Sequence, residues 1–215
     1  MDDLLHFWAT PFYRNRTDSA RAARVTEYVL ANETEDRRKP DSPQRAHPGV
    51  FESSFDFLDW GSDVTGDLKQ LFHNHLAGVV KTANGIDDAA LKNLRFHSHC
   101  WFHVTRQGGY FPNHNHPLAS WSLVYCADPG DEDAADFEAG HLVFNDPRAT
   151  ASMFLDTANR QMRREFSFDA VRMRPVAGDL LIFPSYILHA VEPYSGRRPR
   201  VSVAANFWFA TFGRA

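Results

Sequence analysis

The sequence is short of cysteines, of long apolar runs and of excess basic charge. Its 215 residues include two cysteines, Cys100 and Cys126, which are too few for a disulfide scaffold and favour a reducing, cytoplasmic setting. No apolar run approaches the roughly 20 residues of a membrane-spanning helix, and the first residues lack the basic and apolar regions of a signal peptide. A formal net charge of −4 argues against nucleic acid as the main partner. We therefore expect neither a membrane nor a nucleic-acid partner.

Three common functional motifs are also missing. Gly108 and Gly109 are not followed by the Lys-Ser/Thr pair of a phosphate-binding loop. The chain has no G-x-S-x-G elbow and no Ser-His-Asp order typical of hydrolases. It does have 43% apolar residues, which excludes a disordered chain, and 11 histidines that are clustered. These histidines are the first candidates for chemistry.

The first 90 residues have the pattern of helices and loops. Residues 4–12 are apolar and favour a strand, whereas residues 32–49 are charged and contain three prolines, which indicates an exposed loop. Apolar spacing and capping residues predict one helix from Asp18 or Ser19 to about Leu30, and another from Ser62 or Asp63 to Gly85.

From about Leu94, short alternating segments separated by turn signals predict strands. They cover residues 95–105, 120–127, 141–145, 166–174, 179–183, 187–192 and 200–209. Several short strands at this spacing indicate an all-β sandwich or barrel. We predict a single domain over residues 1–215, in which a helical N-terminal layer at 1–90 packs on a β core at 91–215 that carries a metal site.

A pair of histidines, His114 and His116, has the spacing that a metal chelate on a strand requires. In an extended segment, residues two apart point the same way, so both imidazoles can reach one ion. His189, which follows a strand and a Pro-containing turn, is the candidate for the third ligand. Three such ligands leave coordination positions open, which suits catalytic metals that include non-haem Fe(II).

Other interpretations of the histidines stay open. Histidines beside Pro and Asn in a loop are often only solvated. His97 and His99 have the same spacing and compete as ligands, or form a polar lining. His73 and His75 also have it, but residues two apart on a helix lie on different faces, so we expect surface or packing roles for them.

The second signal is an arginine eleven residues after the predicted third ligand. On a strand, Arg200, Ser202 and Asn206 share one face. An arginine that points into a barrel is costly unless an anion pairs with it, and its planar fork suits a carboxylate. An open metal beside such an arginine is what a 2-oxo dicarboxylic acid needs, because its keto-acid end chelates the metal and its far carboxylate meets the arginine. The alternative is an ordinary surface arginine near a basic loop.

A series of short motifs runs in order through the second half of the chain, from about Trp101 to Phe207. They are His114-x-His116-Pro117, Trp121-Ser122 with Val124-Tyr125 and Pro129, Asp146-Pro147-Arg148, Gly178-Asp179 with Phe183-Pro184-Ser185, His189, and Arg200-x-Ser202 with Asn206. In sequence and spacing these motifs resemble the 2-oxoglutarate/Fe(II) oxygenases of the bacterial prolyl-4-hydroxylase-like kind.

The resemblance implies a mainly β protein with a double-stranded β-helix (jelly roll) and Fe(II) at its open end. It also implies an oxidoreductase that decarboxylates 2-oxoglutarate while O₂ is split and a substrate C–H is oxidised, as in a hydroxylase. The corresponding residues are His114, His116 and His189 as iron ligands, Arg200 and Ser202 for the far carboxylate of 2-oxoglutarate, and Asn206 as a further candidate for contact with this cosubstrate. No separate catalytic residue is predicted.

The chain departs from the wider superfamily at several positions. His116 stands where an Asp or Glu is usual, which removes one negative charge from the iron site, so we expect weaker Fe(II) affinity and a higher potential. His103 stands where Asn is expected, two residues after Trp101, and either lines the substrate side or substitutes as a ligand. Leu123 and Cys126 replace an expected Gly and Tyr.

Two other functions stay open at this point. A cupin-like three-His metal enzyme independent of 2-oxoglutarate is favoured by the histidine set, and a non-catalytic metal-binding jelly-roll module belongs to a different class. The substrate is either a small molecule or a protein side chain. The oligomeric state is also open, with a homodimer through the N-terminal helices as one alternative.

Overall fold

The computed structural model describes residues 7–40, 49–131, 138–148, 156–158, 161–163 and 166–211. The strands within these ranges are β1 (Tyr13–Arg16), β2 (Val50–Glu52), β3 (Leu94–Thr105), β4 (Phe111–His114), β5 (Trp121–Asp128), β6 (Leu142–Phe144), β7 (Val171–Met173), β8 (Asp179–Pro184), β9 (His189–Val191) and β10 (Arg200–Thr211). The helices are α1 (Ser19–Ala31), α2 (Asp63–Asn84) and α3 (Asp88–Lys92).

The strands form two antiparallel sheets. The larger sheet has the order β1-β8-β5-β10-β3-β2, and the smaller one has the order β4-β9-β6-β7. Apart from β2 with β3 and β6 with β7, neighbouring strands are not consecutive in the chain, which is the connectivity of a jelly roll. Apolar side chains from both sheets pack in a shared core that consists of Phe111, Leu142, Phe144, Leu181, Phe183, Ile187 and Val191. The predicted fold class is therefore confirmed.

The helices cover the other face of the larger sheet. Ser62 begins α2 with a capping bond from the backbone N–H of Thr65, and Gly85 ends it in the left-handed conformation with φ of 61°, as the sequence predicts. Asp18 caps α1 in the same way. The buried stripe of α2, formed by Leu68, Phe72, Leu76 and Val80, packs with the apolar faces of β3, β5 and β10 in one core.

Alternation along β3 separates these two environments. Cys100, Phe102 and Val104 point into the core beneath the helices. Trp101 and His103 point the other way, between the two sheets, where they line a cavity. The sequence predicts this division, because side chains alternate across a strand.

The N-terminal layer contributes strands as well as helices. β1 pairs with β8, and β2 pairs with β3, so both edges of the larger sheet come from the first 52 residues. The predicted strand at 4–12 is wrong over 7–12, where the structure has no strand, and its first residues lie outside the described ranges. The strands predicted at 166–174 and 187–192 are shorter in the structure. Each has only three residues, in β7 and β9.

Loops and thiols complete the fold. The predicted loop at 32–49 contains a short 3₁₀ turn at Glu35–Arg37, and its residues 41–48 lie outside the described ranges. Cys100 and Cys126 are both buried free thiols. In the part of the chain that the structure describes, no helix has the length and apolar character needed to cross a membrane.

Candidate metal and cosubstrate site

Three histidines converge at one end of the two sheets. His114, the last residue of β4, lies directly opposite His189, the first residue of β9. His116 follows two residues later, and its backbone N–H donates to the carbonyl of Ser185 at 3.0 Å. One ligand nitrogen from each of the three histidines lies within 4.8 Å of the others. The structure thus brings together the three predicted ligands.

Backbone carbonyls orient two of these imidazoles. Nδ1 of His114 lies 2.8 Å from the carbonyl oxygen of Pro112, and Nδ1 of His189 lies 2.9 Å from that of Ile187. A carbonyl only accepts, so each Nδ1 carries the proton and donates. The lone pair is then on Nε2 of both rings, which is the arrangement that metal-bound histidines require.

The histidine cluster suits a divalent transition metal. Burial, together with the neighbouring His114, lowers the pKa of His189 to about 4, so this imidazole is neutral at physiological pH and its lone pair is available. Neutral imidazoles bind Fe(II), and three of them leave coordination positions for small ligands. The residues present therefore fit the metal that the sequence predicts.

Arg200 lies at the base of the same cavity. Its side chain is 3% exposed, and its Nη1 donates to Oγ of Ser202 over a long 3.4 Å contact. Its Nη2 is buried without a hydrogen-bond partner among the described residues. Burial lowers the pKa of this guanidinium, as expected for a cation removed from water. An unpaired buried guanidinium is costly, so the site fits a carboxylate ligand.

Asn206 lies further along β10 in a chain of hydroxyl contacts. Oγ of Ser122 donates to Oδ1 of Asn206 at 2.8 Å. The same hydroxyl lies 2.8 Å from Oγ of Ser185. Ser185 is also the residue whose carbonyl accepts from His116. Asn206 is therefore tied to the loop that carries the second histidine.

One cavity of about 220 Å³ joins these groups. Its wall on the side of β2 contains Glu52, whose carboxylate lies 2.9 Å from Nε2 of His103 and 2.9 Å from Nζ of Lys39. Burial alone would raise the pKa of Glu52, but the bonds from His103 and Lys39 outweigh burial and lower it to about 2. Glu52 is therefore an ionised side chain in the cavity wall.

The other histidines that the sequence offers as candidates have structural surroundings. His97 and His99 pack against Trp208, with ring centroids 5.8 and 4.9 Å away. His75 on α2 is bonded through Nδ1 to the hydroxyl of Tyr13 at 2.7 Å, and His73 packs against aromatic rings. His103 lines the cavity. This agrees with the first of its two predicted roles, a residue of the cavity wall, and not with the second, a metal ligand.

The sequence alone does not assign four residues to the site, although they line the cavity or belong to its hydrogen-bond chain. Trp101 and Ser122 follow from strand alternation once the cavity face is known, since they share it with predicted residues. Glu52 reaches the cavity only because β2 pairs with β3, which places it opposite His103. No local pattern indicates that pairing. Ser185 is visible only as part of a motif, without an assigned role.

Two facing antiparallel sheets with a three-His cluster at one end define a jelly-roll metal protein. Across residues 99–206, half of the chain, the sequence matches the model of the family described as "Putative 2OG-Fe(II) oxygenase". The chain belongs to this family, and the resemblance found from its motifs is confirmed. It is an oxidoreductase of the 2-oxoglutarate-dependent non-haem iron class, and its cofactors are Fe(II) and 2-oxoglutarate. No curated protein matches the chain.

Solved structures share the fold. A Pseudomonas putida prolyl-4-hydroxylase is 16% identical with a TM-score of 0.61, and the match covers 92% of each chain. A Trichoplax adhaerens prolyl hydroxylase, in complex with a hypoxia inducible factor peptide fragment, is 13% identical with a TM-score of 0.56, covering 92% of this chain and 83% of that one. The α-ketoglutarate-dependent epimerase SnoN from nogalamycin biosynthesis is 14% identical with a TM-score of 0.62, covering 93% and 78%. At these identities, the likeness is one of fold.

Proposed function

We propose that this oxygenase hydroxylates a substrate C–H bond in the cavity between its two sheets. In this proposal His114, His116 and His189 hold Fe(II), while Arg200 and Ser202 hold the distal carboxylate of 2-oxoglutarate. The observation that carries the proposal is the buried Nη2 of Arg200, which lacks a protein partner among the described residues and shares one cavity with the three histidines. Metal binding alone does not explain why a guanidinium is buried without a partner, because such burial destabilises the protein.

The chain's own residues bind, orient and shield. The bonds to the carbonyls of Pro112 and Ile187 hold two imidazoles with Nε2 toward the metal position. When bound, Fe(II) and 2-oxoglutarate supply the oxidising chemistry, in which 2-oxoglutarate, O₂ and R–H become succinate, CO₂ and R–OH. Apolar side chains of both sheets line the rest of the cavity, among them Phe111, Leu142 and Phe183, and they limit the access of water.

The substrate is proposed at the level of class. Structural neighbours include a prolyl-4-hydroxylase, a prolyl hydroxylase with a bound peptide fragment and an epimerase. Taken together, these names support a small molecule or a protein side chain as the substrate of this chain. We propose a cytoplasmic setting because both cysteines are free thiols. The net charge of −4 supports the absence of a nucleic-acid partner.

Uncoupled turnover tests the proposal. The purified chain, given Fe(II), 2-oxoglutarate, air and ascorbate as the two-electron reductant that replaces the substrate, should release succinate and CO₂ in equal amounts without any added substrate. His189→Ala and His116→Ala should abolish this release and also lower the stoichiometry of bound iron, whereas His116→Asp, which restores the usual carboxylate, should retain iron. Iron that binds fully while no succinate forms would contradict the assignment of the cosubstrate site.

A further inference from the structure

We propose that the substrate is a polypeptide segment that rests its apolar side chains on an uncharged rim outside the iron site, while one of its side chains enters the cavity. The rim is defined by Leu118, Tyr186 and Leu188. This inference rests on the proposed function, because it takes the cavity to be the place where a substrate C–H bond is hydroxylated, and it narrows the substrate to one of the two classes left open there. It is supported by the exposure of the rim, the bonds that hold its loops, its lack of charge and its free main-chain donors.

The rim side chains belong to the loops that carry the iron ligands, but they stay outside the cavity. Leu118 follows His116 by two residues, and Leu188 directly precedes His189. Leu118 is 99% exposed, Tyr186 57% and Leu188 47%, and none of them lines the cavity. The cosubstrate, which the proposed function encloses within the cavity, does not reach them. Only a ligand that extends beyond the cavity can bury this rim.

Backbone hydrogen bonds hold the two loops of the rim together. The backbone N–H of His116 donates to the carbonyl of Ser185, and the N–H of Ser185 donates to the carbonyl of Ser120, at 3.0 and 3.1 Å. Leu118 is midway between these two points of attachment and has a left-handed backbone, with φ of 70°. That conformation is unfavourable for leucine, and strained residues of this kind concentrate at functional sites. The backbone that presents this exposed side chain is therefore fixed on both sides.

The rim has the composition of a protein-binding surface. Residues 116–120 and 185–188 include no Asp, Glu, Lys or Arg. Depletion of charge, together with tyrosine and apolar side chains, is typical of the centre of protein interfaces. Proteins that bind membrane surfaces usually do so with the help of basic side chains, which this rim lacks. The composition therefore favours a polypeptide over a lipid surface.

Main-chain donors beside the rim distinguish a polypeptide from an apolar small molecule. The backbone N–H groups of Leu118, Tyr186 and Leu188 donate to no residue that the structure describes. An extended polypeptide offers carbonyl acceptors to such donors and apolar side chains to the rim at the same time. An apolar small molecule that covers the rim would bury these donors without a partner, which is costly.

The first experiment measures whether the rim binds a polypeptide. Phage-displayed random peptides are selected anaerobically on the native protein loaded with Fe(II) and 2-oxoglutarate, and the enriched peptides should carry neighbouring apolar residues. Synthetic copies should bind Leu118→Asn and Tyr186→Ser about tenfold or more weakly than the native protein, the effect of losing one buried apolar side chain. Asparagine tolerates a left-handed backbone, so Leu118→Asn removes the apolar side chain and keeps the turn.

Conservative variants and a distant leucine are the controls for this experiment. Leu118→Met and Tyr186→Phe keep an apolar side chain at the rim and should bind the same peptides within about twofold of the native protein. Leu30→Gln replaces an exposed leucine on α1 and should also stay within about twofold. A loss of binding in Leu30→Gln as large as that in Leu118→Asn would show that the rim is not the binding surface.

The second experiment tests whether the rim presents a substrate to the iron. The enriched peptides, incubated with the native protein, Fe(II), 2-oxoglutarate and air, should include members that gain one oxygen atom at a residue beside the apolar ones. Mass spectrometry of peptide fragments measures this gain and its position. Peptides that bind the rim but never gain oxygen would overturn the inference, because the rim would then bind a polypeptide that is not a substrate.

The outcomes separate this inference from the proposed function. If succinate forms in uncoupled turnover but no peptide is enriched, or if Leu118→Asn and Tyr186→Ser bind the enriched peptides as tightly as the native protein, the inference fails and the proposed function stands. The inference also fails if the rim binds a second copy, seen in sedimentation as a dimer that Leu118→Asn dissociates. Cosedimentation of the native protein, but not of Leu118→Asn, with phosphatidylcholine vesicles would assign the rim to a lipid surface instead. If no succinate forms, the proposed function fails first.

Discussion

The burial of Arg200 costs the free protein stability. A buried guanidinium loses its hydration, and here one long contact to Ser202 replaces only part of that loss. Coulomb attraction to a ligand carboxylate in the same cavity would offset the remainder. The residue is therefore expected to destabilise the free protein and to stabilise the cosubstrate complex.

Arg200→Met tests both halves of that statement at once. Replacement by an apolar side chain of similar length should raise the free energy of unfolding of the ligand-free protein by roughly 1–3 kcal/mol. The same change should remove measurable 2-oxoglutarate binding. Lys92→Met, at an exposed residue of the short helix α3, is the control and should change neither quantity. Chemical denaturation would contradict the account if Arg200→Met proved markedly less stable than the native protein.

Glu52 makes a contribution to the free energy of unfolding that depends on pH. Its pKa in the folded protein is about 2, below its ordinary value of 4.5, because the bonds from His103 and Lys39 outweigh burial. A depressed carboxyl pKa stabilises the fold fully above the unfolded value, and this contribution is lost as the pH falls through the folded value. The relevant window therefore runs from about pH 4.5 down to about pH 2.

Glu52→Gln should remove this dependence. Above pH 4.5 the variant should be less stable than the native protein by roughly 3–4 kcal/mol, the equivalent of the pKa shift. The difference should shrink steadily as the pH falls toward 2. Urea denaturation at a series of pH values measures it. A constant difference across that range would show that the carboxylate is not held by His103 and Lys39.

At the scale of elements, α2 supplies much of the core beneath the larger sheet. Phe72 is fully buried in that core, and its ring centroid lies 6.1 Å from that of Tyr125 on β5. The cavity lies on the opposite face of β5, β10 and β3. Stability and ligand binding are therefore assigned to opposite faces of the same strands.

Phe72→Ala should separate these two properties. The loss of a buried phenylalanine should cost about 3–5 kcal/mol of unfolding free energy, while the dissociation constant for 2-oxoglutarate in the folded fraction should stay within about twofold of native. Gln70→Ala, exposed on the same helix, should leave both unchanged. Thermal denaturation and equilibrium titration provide the two measurements, and a parallel loss of affinity would argue against independent faces.

Elements with strong local signals are those that the sequence predicts well. The long strands β3 and β10 show clear alternation, and both helices have capping residues at the predicted ends. The short strands β1, β2 and β4 have three or four residues each, and their strand conformation depends on partners elsewhere in the chain. The His114 and His116 pair could be predicted because its spacing is local, and His189 because it follows a strand and a turn, whereas Glu52 could not, because it reaches the site only through pairing.

At the scale of the whole molecule, the N-terminal layer and the β core share one sheet. Arg14 and Arg16 on β1 bind the buried carboxylate of Asp179 on β8, at 2.7 and 2.8 Å. β2 covers the opposite edge and supplies Glu52 to the cavity. These contacts support the prediction of a single domain, with the first 90 residues as part of its sheet.

A single domain predicts one cooperative unfolding transition. Calorimetric and van't Hoff enthalpies should agree, because removal of β1 and β2 would expose both edges of the larger sheet. Helical and aromatic circular dichroism signals should also lose intensity at the same temperature. Two separated transitions would show that the first 90 residues fold as an independent unit.

The most direct test of the central claim is an anaerobic absorption titration. The account predicts that Fe(II) and 2-oxoglutarate together, but neither alone, produce a weak visible charge-transfer band with the native protein. His189→Ala should abolish the band, and Arg200→Met should give no measurable band when 2-oxoglutarate is added. Bound iron that gives no such band with 2-oxoglutarate, or a band that survives His189→Ala unchanged, would contradict the assignment of these residues to the iron and cosubstrate site.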